Sequence, residues 1–178
     1  SLVIEHANIN SANGSVAASG SIYFDDQNSS LLSVTVAGLN PKLINPQYQG
    51  NLNATAELEL TQLLTTPTIK ASLSNLSGQF MGTQLNASGL VTLLPDQRVQ
   101  FKRWALINNG NQFNIDGEFP NGNAQWSATI NHIEQFIPSV SGRVSAAGTL
   151  LGTLDKPSLN ATITAEKISY DRYQAKAI

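Results

Sequence analysis

The chain has 178 residues, of which 41% are hydrophobic and only 12% are charged, and its formal net charge is -2 at pH 7. This charge balance argues against nucleic acid as a partner, because phosphate contacts need a basic surface. The sequence has no cysteine, which excludes disulfides and thiolate chemistry and is compatible with a bacterial periplasm or a cytosol. No apolar stretch approaches the roughly 20 residues of a membrane-spanning helix, so we expect no helical membrane anchor in this sequence.

Apolar and polar residues alternate along most of the chain. Successive side chains of a strand point to opposite faces of a sheet, so this alternation predicts antiparallel strands with one apolar and one polar face. We expect an all-β fold of roughly ten to twelve strands, with less than about a tenth of the chain in helices. In chain order, the alternating stretches are residues 16–24, 32–36, 52–61, 69–73, 85–93, 113–119, 124–130, 144–150 and 159–165.

Clusters of glycine, proline, asparagine, aspartate and serine separate these stretches and predict tight reversals, so most connections should be hairpins. The clusters are Asn13-Gly14, Asn28-Ser29-Ser30, Pro95-Asp96, Asn108-Asn109-Gly110, Pro120-Asn121-Gly122 and Asp155-Lys156-Pro157. Two further stretches, residues 41–44 and 131–136, are flanked by proline and lack alternation. We predict that they form short helical turns.

An internal repeat is visible at a spacing of roughly 90 residues. The segments PQYQG at 46–50 and PSVSG at 138–142 each precede an alternating strand, a turn and a second strand that begins at a proline, Pro67 or Pro157. Iteration of one unit is typical of sheets that grow along a single axis. We therefore predict one elongated β segment over residues 1–178, belonging to a longer chain, with approximate repeat units 14–109 and 110–178.

The polar side chains indicate no catalytic or metal site. The two histidines, His6 and His132, are not near a nucleophile signature or a metal-ligand signature. Glu57 and Glu59 fall on the polar side of their strand, where carboxylates are solvated rather than tuned by a pocket. Asp25-Asp26 is not followed by the spacing of a calcium loop. We expect no enzymatic activity, no metal and no cofactor.

The apolar face is the remaining functional feature, and the pattern alone leaves two alternatives for it. It can pack on a second sheet, as in a closed β-sandwich with a structural or adhesive role. Alternatively, the sheet curls into an open trough whose lining is covered by acyl chains. The larger apolar side chains of this parity, which would line such a groove, are Val34, Val36, Leu52, Leu58, Leu60, Ile69, Leu73, Leu85, Val91, Leu93, Phe113, Ile115, Phe119, Trp126, Ile130, Val144, Leu150, Leu159 and Ile163.

Four glycines share the parity of these apolar residues. Such glycines either leave width for acyl chains or allow the sheet to bend, and the sequence does not distinguish the two. They are Gly20, Gly89, Gly117 and Gly148.

The second half of the chain carries a recognisable repeat cadence. Its segments are NQFNIDG at 111–117, WSATI at 126–130, FIPSVSG at 136–142, GTLLGTL at 148–154 and PSLNATITA at 157–165. The last two fit the pattern G-x-L-x-G-T-L-x-x-P-x-L-x-A-x-I-x-A, and the first half of the chain is a looser copy. The chain thereby resembles the central periplasmic segment of the TamB family, the inner-membrane subunit of the translocation and assembly module of Gram-negative bacteria. Other members of the AsmA-like superfamily and lipopolysaccharide-bridge proteins are close alternatives.

The resemblance implies a long periplasmic antiparallel sheet curled into an elongated open trough, a β-taco, with an apolar concave face. It implies a protein anchored in the inner membrane and paired with an outer-membrane barrel, TamA, through parts of the chain that are not in this sequence. It also implies phospholipid transfer between the two membranes and support of outer-membrane protein and autotransporter assembly. The expected partners are phospholipid acyl chains and nascent outer-membrane protein strands. No active-site residue or cofactor is carried over.

Overall fold

The computed structural model describes residues 1–120, 122–170 and 173–177. They form twelve strands in one sheet, in which every strand pairs antiparallel with its neighbour in sequence. The strands are β1 (Leu2–Ser11), β2 (Gly14–Ile22), β3 (Ser30–Leu39), β4 (Gly50–Thr61), β5 (Thr68–Phe80), β6 (Thr83–Leu93), β7 (Val99–Asn108), β8 (Asn111–Phe119), β9 (Gln125–Ile130), β10 (Val140–Gly152), β11 (Pro157–Tyr170) and β12 (Tyr173–Ala177).

The connections follow the turn chemistry of the sequence. All the predicted reversals fall between consecutive strands, although Asn121 of the cluster at 120–122 lies outside the described residues. The two predicted helical turns are confirmed as a first 3₁₀ turn, Pro41–Leu43, between β3 and β4, and a second 3₁₀ turn, Ile133–Gln135, between β9 and β10. The division into repeat units 14–109 and 110–178 stays a prediction.

The strand register collects the apolar residues on one face. Directly opposed residues of antiparallel strands point to the same side of a sheet. From β4 to β8, one such row runs through Leu60, Ile69, Leu93, Val99 and Phe119. A second row, from β7 to β11, runs through Trp104, Ile115, Trp126, Gly148 and Ala161. The apolar face is therefore continuous across the sheet.

The described residues contain no second sheet that could cover this face. The closed β-sandwich, one of the two alternatives above, therefore has no counterpart in the described part of the chain. Apolar side chains nevertheless shield one another: Leu85 and Ala87 of β6 are 6% and 5% exposed, whereas the polar residues between and beside them are exposed. Side chains converge on a concave face and diverge on a convex one. The sheet is thus an open trough with an apolar concave face, as predicted.

Glycines on the apolar parity let the strands approach and bend. Gly20 has φ +145°, which side-chain-bearing residues rarely adopt, and a Cβ there would lie 2.0 Å from the carbonyl oxygen of Leu31. A Cβ on Gly148 would lie 1.7 Å from the carbonyl oxygen of Asn160. An added methyl group would strike the neighbouring strand rather than fill the trough. Of the two explanations for these glycines, close approach with bending is the one that the geometry supports.

Two glycines of the β5–β6 hairpin provide a matched test of this explanation. Gly78 has φ +143° and its Cβ would lie 2.1 Å from the carbonyl oxygen of Asn51, whereas Gly82 in the turn has φ +78° and open space around it. Gly78→Ala should lower the free energy of unfolding by about 3 kcal/mol through strain and overpacking. Gly82→Ala should cost only about 1 kcal/mol. Urea unfolding followed by circular dichroism measures both values, and equal losses would contradict the explanation.

Candidate functional site in the apolar trough

The predicted groove residues all lie on β3 to β6 and β8 to β11, and the register places them on the same face. For example, Val36 opposes Ala54, Leu60 opposes Ile69, and Leu150 opposes Leu159. That they contact lipid stays a prediction.

Sequence reasoning missed the contribution of β7, which is central to the same face. Its apolar residues form two pairs, Val99 with Phe101 and Trp104 with Leu106. The second pair begins three residues after Phe101, whereas strict alternation would place it two residues after. A β-bulge at residues 102–103 absorbs the extra residue, so both pairs face the trough. The signal in the sequence was two short alternating runs out of phase. A second bulge, in β5, likewise shifts the parity between Leu73 and Leu76.

An aromatic cluster lies in the middle of the trough. The ring centroids of Trp104 and Phe113 are 6.4 Å apart in an edge-on arrangement, and those of Phe113 and Trp126 are 6.4 Å apart and stacked. Small residues surround the rings, since Trp104 packs against Gly89 and Trp126 opposes Gly148. These are the two tryptophans of the chain. Both tryptophan fluorophores are therefore located on the apolar face.

The trough becomes more open towards β11. Leu159 and Ile163 belong to the apolar face through their pairing with Leu150 and Ala146, yet they are 64% and 66% exposed. Large apolar side chains with this much exposure on one face of a strand are typical of a surface that is covered by a ligand or a partner.

Both 3₁₀ turns lie at the same end of the strands, because each follows an odd-numbered strand of an antiparallel meander. After the first turn, the ring of Tyr48 packs edge-on against Phe80 at 5.3 Å. The second turn is fastened by the buried Asn111, whose Oδ1 accepts hydrogen bonds from the backbone N–H groups of Asn131 at 2.8 Å and His132 at 3.0 Å. These contacts fix the two segments along one rim of the trough.

A charged cluster fastens the opposite rim. Arg98 forms ion pairs with Asp96 at 2.6 Å and with Glu118, and the amide of Gln100 donates to Glu118 at 2.8 Å. The Gln100 amide and the Arg98 guanidinium lower the pKa of Glu118, and Arg98 lowers the pKa of Asp96. The cluster ties β8 to β7 and to the turn that precedes β7.

The described residues contain neither a cluster of metal ligands nor a helix that could span a membrane. No three of their histidine, aspartate or glutamate side chains come together in the manner of a metal site. None of their helical segments has the length and apolarity that crossing a bilayer would take.

These features define a class of protein: an open antiparallel sheet whose apolar concave face is not covered by a second protein layer. The family model described as "TamB, N-terminal domain" matches residues 1–178, and the chain belongs to the TamB family. The match is to the N-terminal domain, whereas the repeat cadence had been compared with the central segment of the family. A search of curated proteins and a search of solved structures gave no match.

The charged rim cluster predicts a specific dependence of stability on pH. The pKa of Glu118 is lowered in the folded chain, so its ionised form stabilises the fold above the ordinary carboxyl pKa, and this contribution is lost as the pH falls through the lowered value. Glu118→Gln should destabilise the chain near pH 7 and lose less stability than the parent between about pH 7 and about pH 3. Urea midpoints at both pH values measure the difference. Glu57→Gln removes another polar-face carboxylate as a control, and an identical effect there would contradict the assignment.

Proposed function

We propose that this chain is a non-enzymatic periplasmic segment of an inner-membrane-anchored protein of a Gram-negative bacterium, and that its trough provides a hydrophobic groove for phospholipid transfer between the inner and outer membranes. The observation that carries the proposal is the continuous apolar face without a covering sheet in the described residues. Membership of the TamB family supports the cellular setting.

The chemistry of acyl chains suits this face. Hydrophobic attraction is non-directional and scales with the apolar area removed from water, so a lipid chain needs a continuous apolar stripe rather than a selective pocket. Covering an exposed apolar side chain such as Leu159 or Ile163 contributes on the order of 1 kcal/mol. A row of such side chains holds an acyl chain without fixing its position along the trough. That combination of retention and sliding is what a conduit requires.

Support of outer-membrane protein and autotransporter assembly is a second candidate function, which membership of the TamB family favours. Unpaired strand edges accept additional strands through backbone hydrogen bonds. A nascent outer-membrane protein strand would add to an edge of the sheet in this way, and contact with the barrel TamA would use parts of the protein that are not in this sequence.

The position of both tryptophans gives a direct test of lipid in the trough. A short-chain phospholipid with brominated acyl chains, held below its micellar concentration, should quench the fluorescence of Trp104 and Trp126 because bromine quenches only at contact. The same phospholipid without bromine is the control for indirect effects. If the brominated lipid leaves the fluorescence unchanged while native mass spectrometry detects no bound phospholipid, the lipid-groove proposal is wrong.

A pair of neighbouring substitutions separates the apolar face from the rest of the strand. Ile163→Arg places a guanidinium among acyl chains, and Ile163 is exposed enough for the fold to tolerate the change. Lipid binding should weaken by at least about tenfold. Thr164→Arg adds the same charge one residue away, on the polar face, and should leave binding unchanged. Fluorescence quenching measures binding and thermal melting confirms folding of both variants; equal binding by the two would contradict the proposal.

A further inference from the structure

The polar face of the sheet, opposite to the trough, carries a long shallow groove. It consists of two adjoining depressions of about 690 Å³ and about 530 Å³ that share Arg103. Their lining residues come from every strand from β4 to β11. With adjacent strands about 4.8 Å apart, the groove is about 34 Å long. We call it the outer groove.

The outer groove results from the bulge and the glycines of the sheet. At Arg103, where φ is +49°, the β7 bulge turns the backbone N–H towards Asp116, and Oδ2 of that carboxylate accepts it at 2.8 Å. Gly89 and Gly148 contribute to the lining without side chains. A strongly twisted sheet is saddle-shaped, so the polar face can be concave along one diagonal while the apolar face is concave along the other.

Apart from Arg103 and Asp116, the polar side chains of the larger depression are neutral hydrogen-bonding groups that offer both donors and acceptors. The amides and hydroxyls are those of Asn114, Gln125, Ser127, Thr149 and Thr162. The methyl groups of Ala105 and Ala147 lie among them and add small apolar patches. A ligand for this lining must itself carry many donors and acceptors on a small apolar framework.

The junction of the two depressions is cationic. Lys102 and Arg103 both line it, and neither forms an ion pair within the described residues. Lys70, in the smaller depression, is already paired with Glu59 at 2.9 Å. The groove also contains the carboxylates of Glu57 and Asp116, so its charges are mixed and not uniformly basic. Two neighbouring cations without an ion pair in such a groove indicate a ligand with an occasional negative charge rather than one charge per unit.

We propose that the outer groove binds an extended acidic polysaccharide, with sugar hydroxyls on the amide and hydroxyl lining and a carboxylate at Lys102 and Arg103. Length and openness favour a polymer over a small molecule. Two cations are too few for a nucleic-acid backbone, which needs a basic charge along its whole path. The lining also lacks the deep apolar pockets that select peptide side chains. The outer groove lies on the face opposite to the trough, so this inference stands independently of lipid transfer.

The test is an NMR titration of the chain with hexagalacturonate as an acidic probe and chitohexaose as a neutral one. The acidic oligomer should shift the amide signals of Asn114, Gln125 and Thr149 at millimolar concentration and leave the indole signals of the trough unchanged. The neutral oligomer should bind more weakly at the same residues. Gln125→Ala should weaken binding of both by about fivefold, since it removes the hydrogen-bonding amide.

Two further variants complete the design. Arg103→Gln should weaken binding of the acidic oligomer and leave binding of the neutral oligomer unchanged. Thr129→Val, on the polar face of the same strand as Gln125 but outside the outer groove, should change neither. The proposal is overturned if no shift occurs, if the shifts fall on the apolar face, or if Thr129→Val weakens binding as much as Gln125→Ala. A short single-stranded DNA that competes as well as the acidic oligomer would also overturn it, because charge alone would then explain binding.

Discussion

The pairing of opposed residues in an antiparallel sheet is the constraint on which the rest of this structure depends. Each strand keeps its apolar residues on one face only if its register with the next strand is correct, because a slip of one residue inverts every side chain. The bulges show how strictly this holds. Between Leu73 and Leu76, and between Phe101 and Trp104, a bulge takes up an odd residue and returns the apolar parity to the same side.

A single layer built in this way has little core. Besides Pro41, only five apolar residues are buried in the described chain, among them Leu52, Leu85 and Phe119. Backbone ladders, contacts between neighbours on one face, the aromatic cluster of the trough and the two fastened rims hold the fold together. On the apolar face, side chains are shielded by their neighbours within the sheet, but no second protein layer in the described residues covers them. An apolar occupant would complete this face, so the architecture and the proposed lipid-conducting role fit together physically.

The same backbone shape gives each face its own chemistry. Glycines such as Gly89 and Gly148 let strands approach closely, and they also leave the outer groove without side chains at those points. Twist and bulges then make the polar face concave where β7 meets β8. The trough offers non-directional hydrophobic attraction, whereas the outer groove offers directional hydrogen bonds. Ligands for the two faces would therefore not compete.

The sequence by itself determined most of the features that depend on near neighbours. Period-two alternation predicted nine of the twelve strands and missed β1, β7 and β12. Asparagine, glycine and proline clusters predicted the reversals, and two proline-flanked stretches predicted the 3₁₀ turns. The parity of residues such as Leu60, Ile69 and Leu150 was correct because it follows from the geometry of one strand. The repeat cadence also led to the family. All of these are encoded within a few residues of one another.

Only the tertiary structure decided what depends on distant parts of the chain. An open trough and a closed sandwich share the same alternation, so the choice required knowing that the described residues contain no second sheet packed on the apolar face. The bulge before Trp104 hid β7 from a pattern search, since a bulge is defined by the partner strand as much as by its own residues. The role of Gly20 and Gly148 followed from carbonyl oxygens on the neighbouring strand. Long-range pairing, which no local pattern records, fixes each of these.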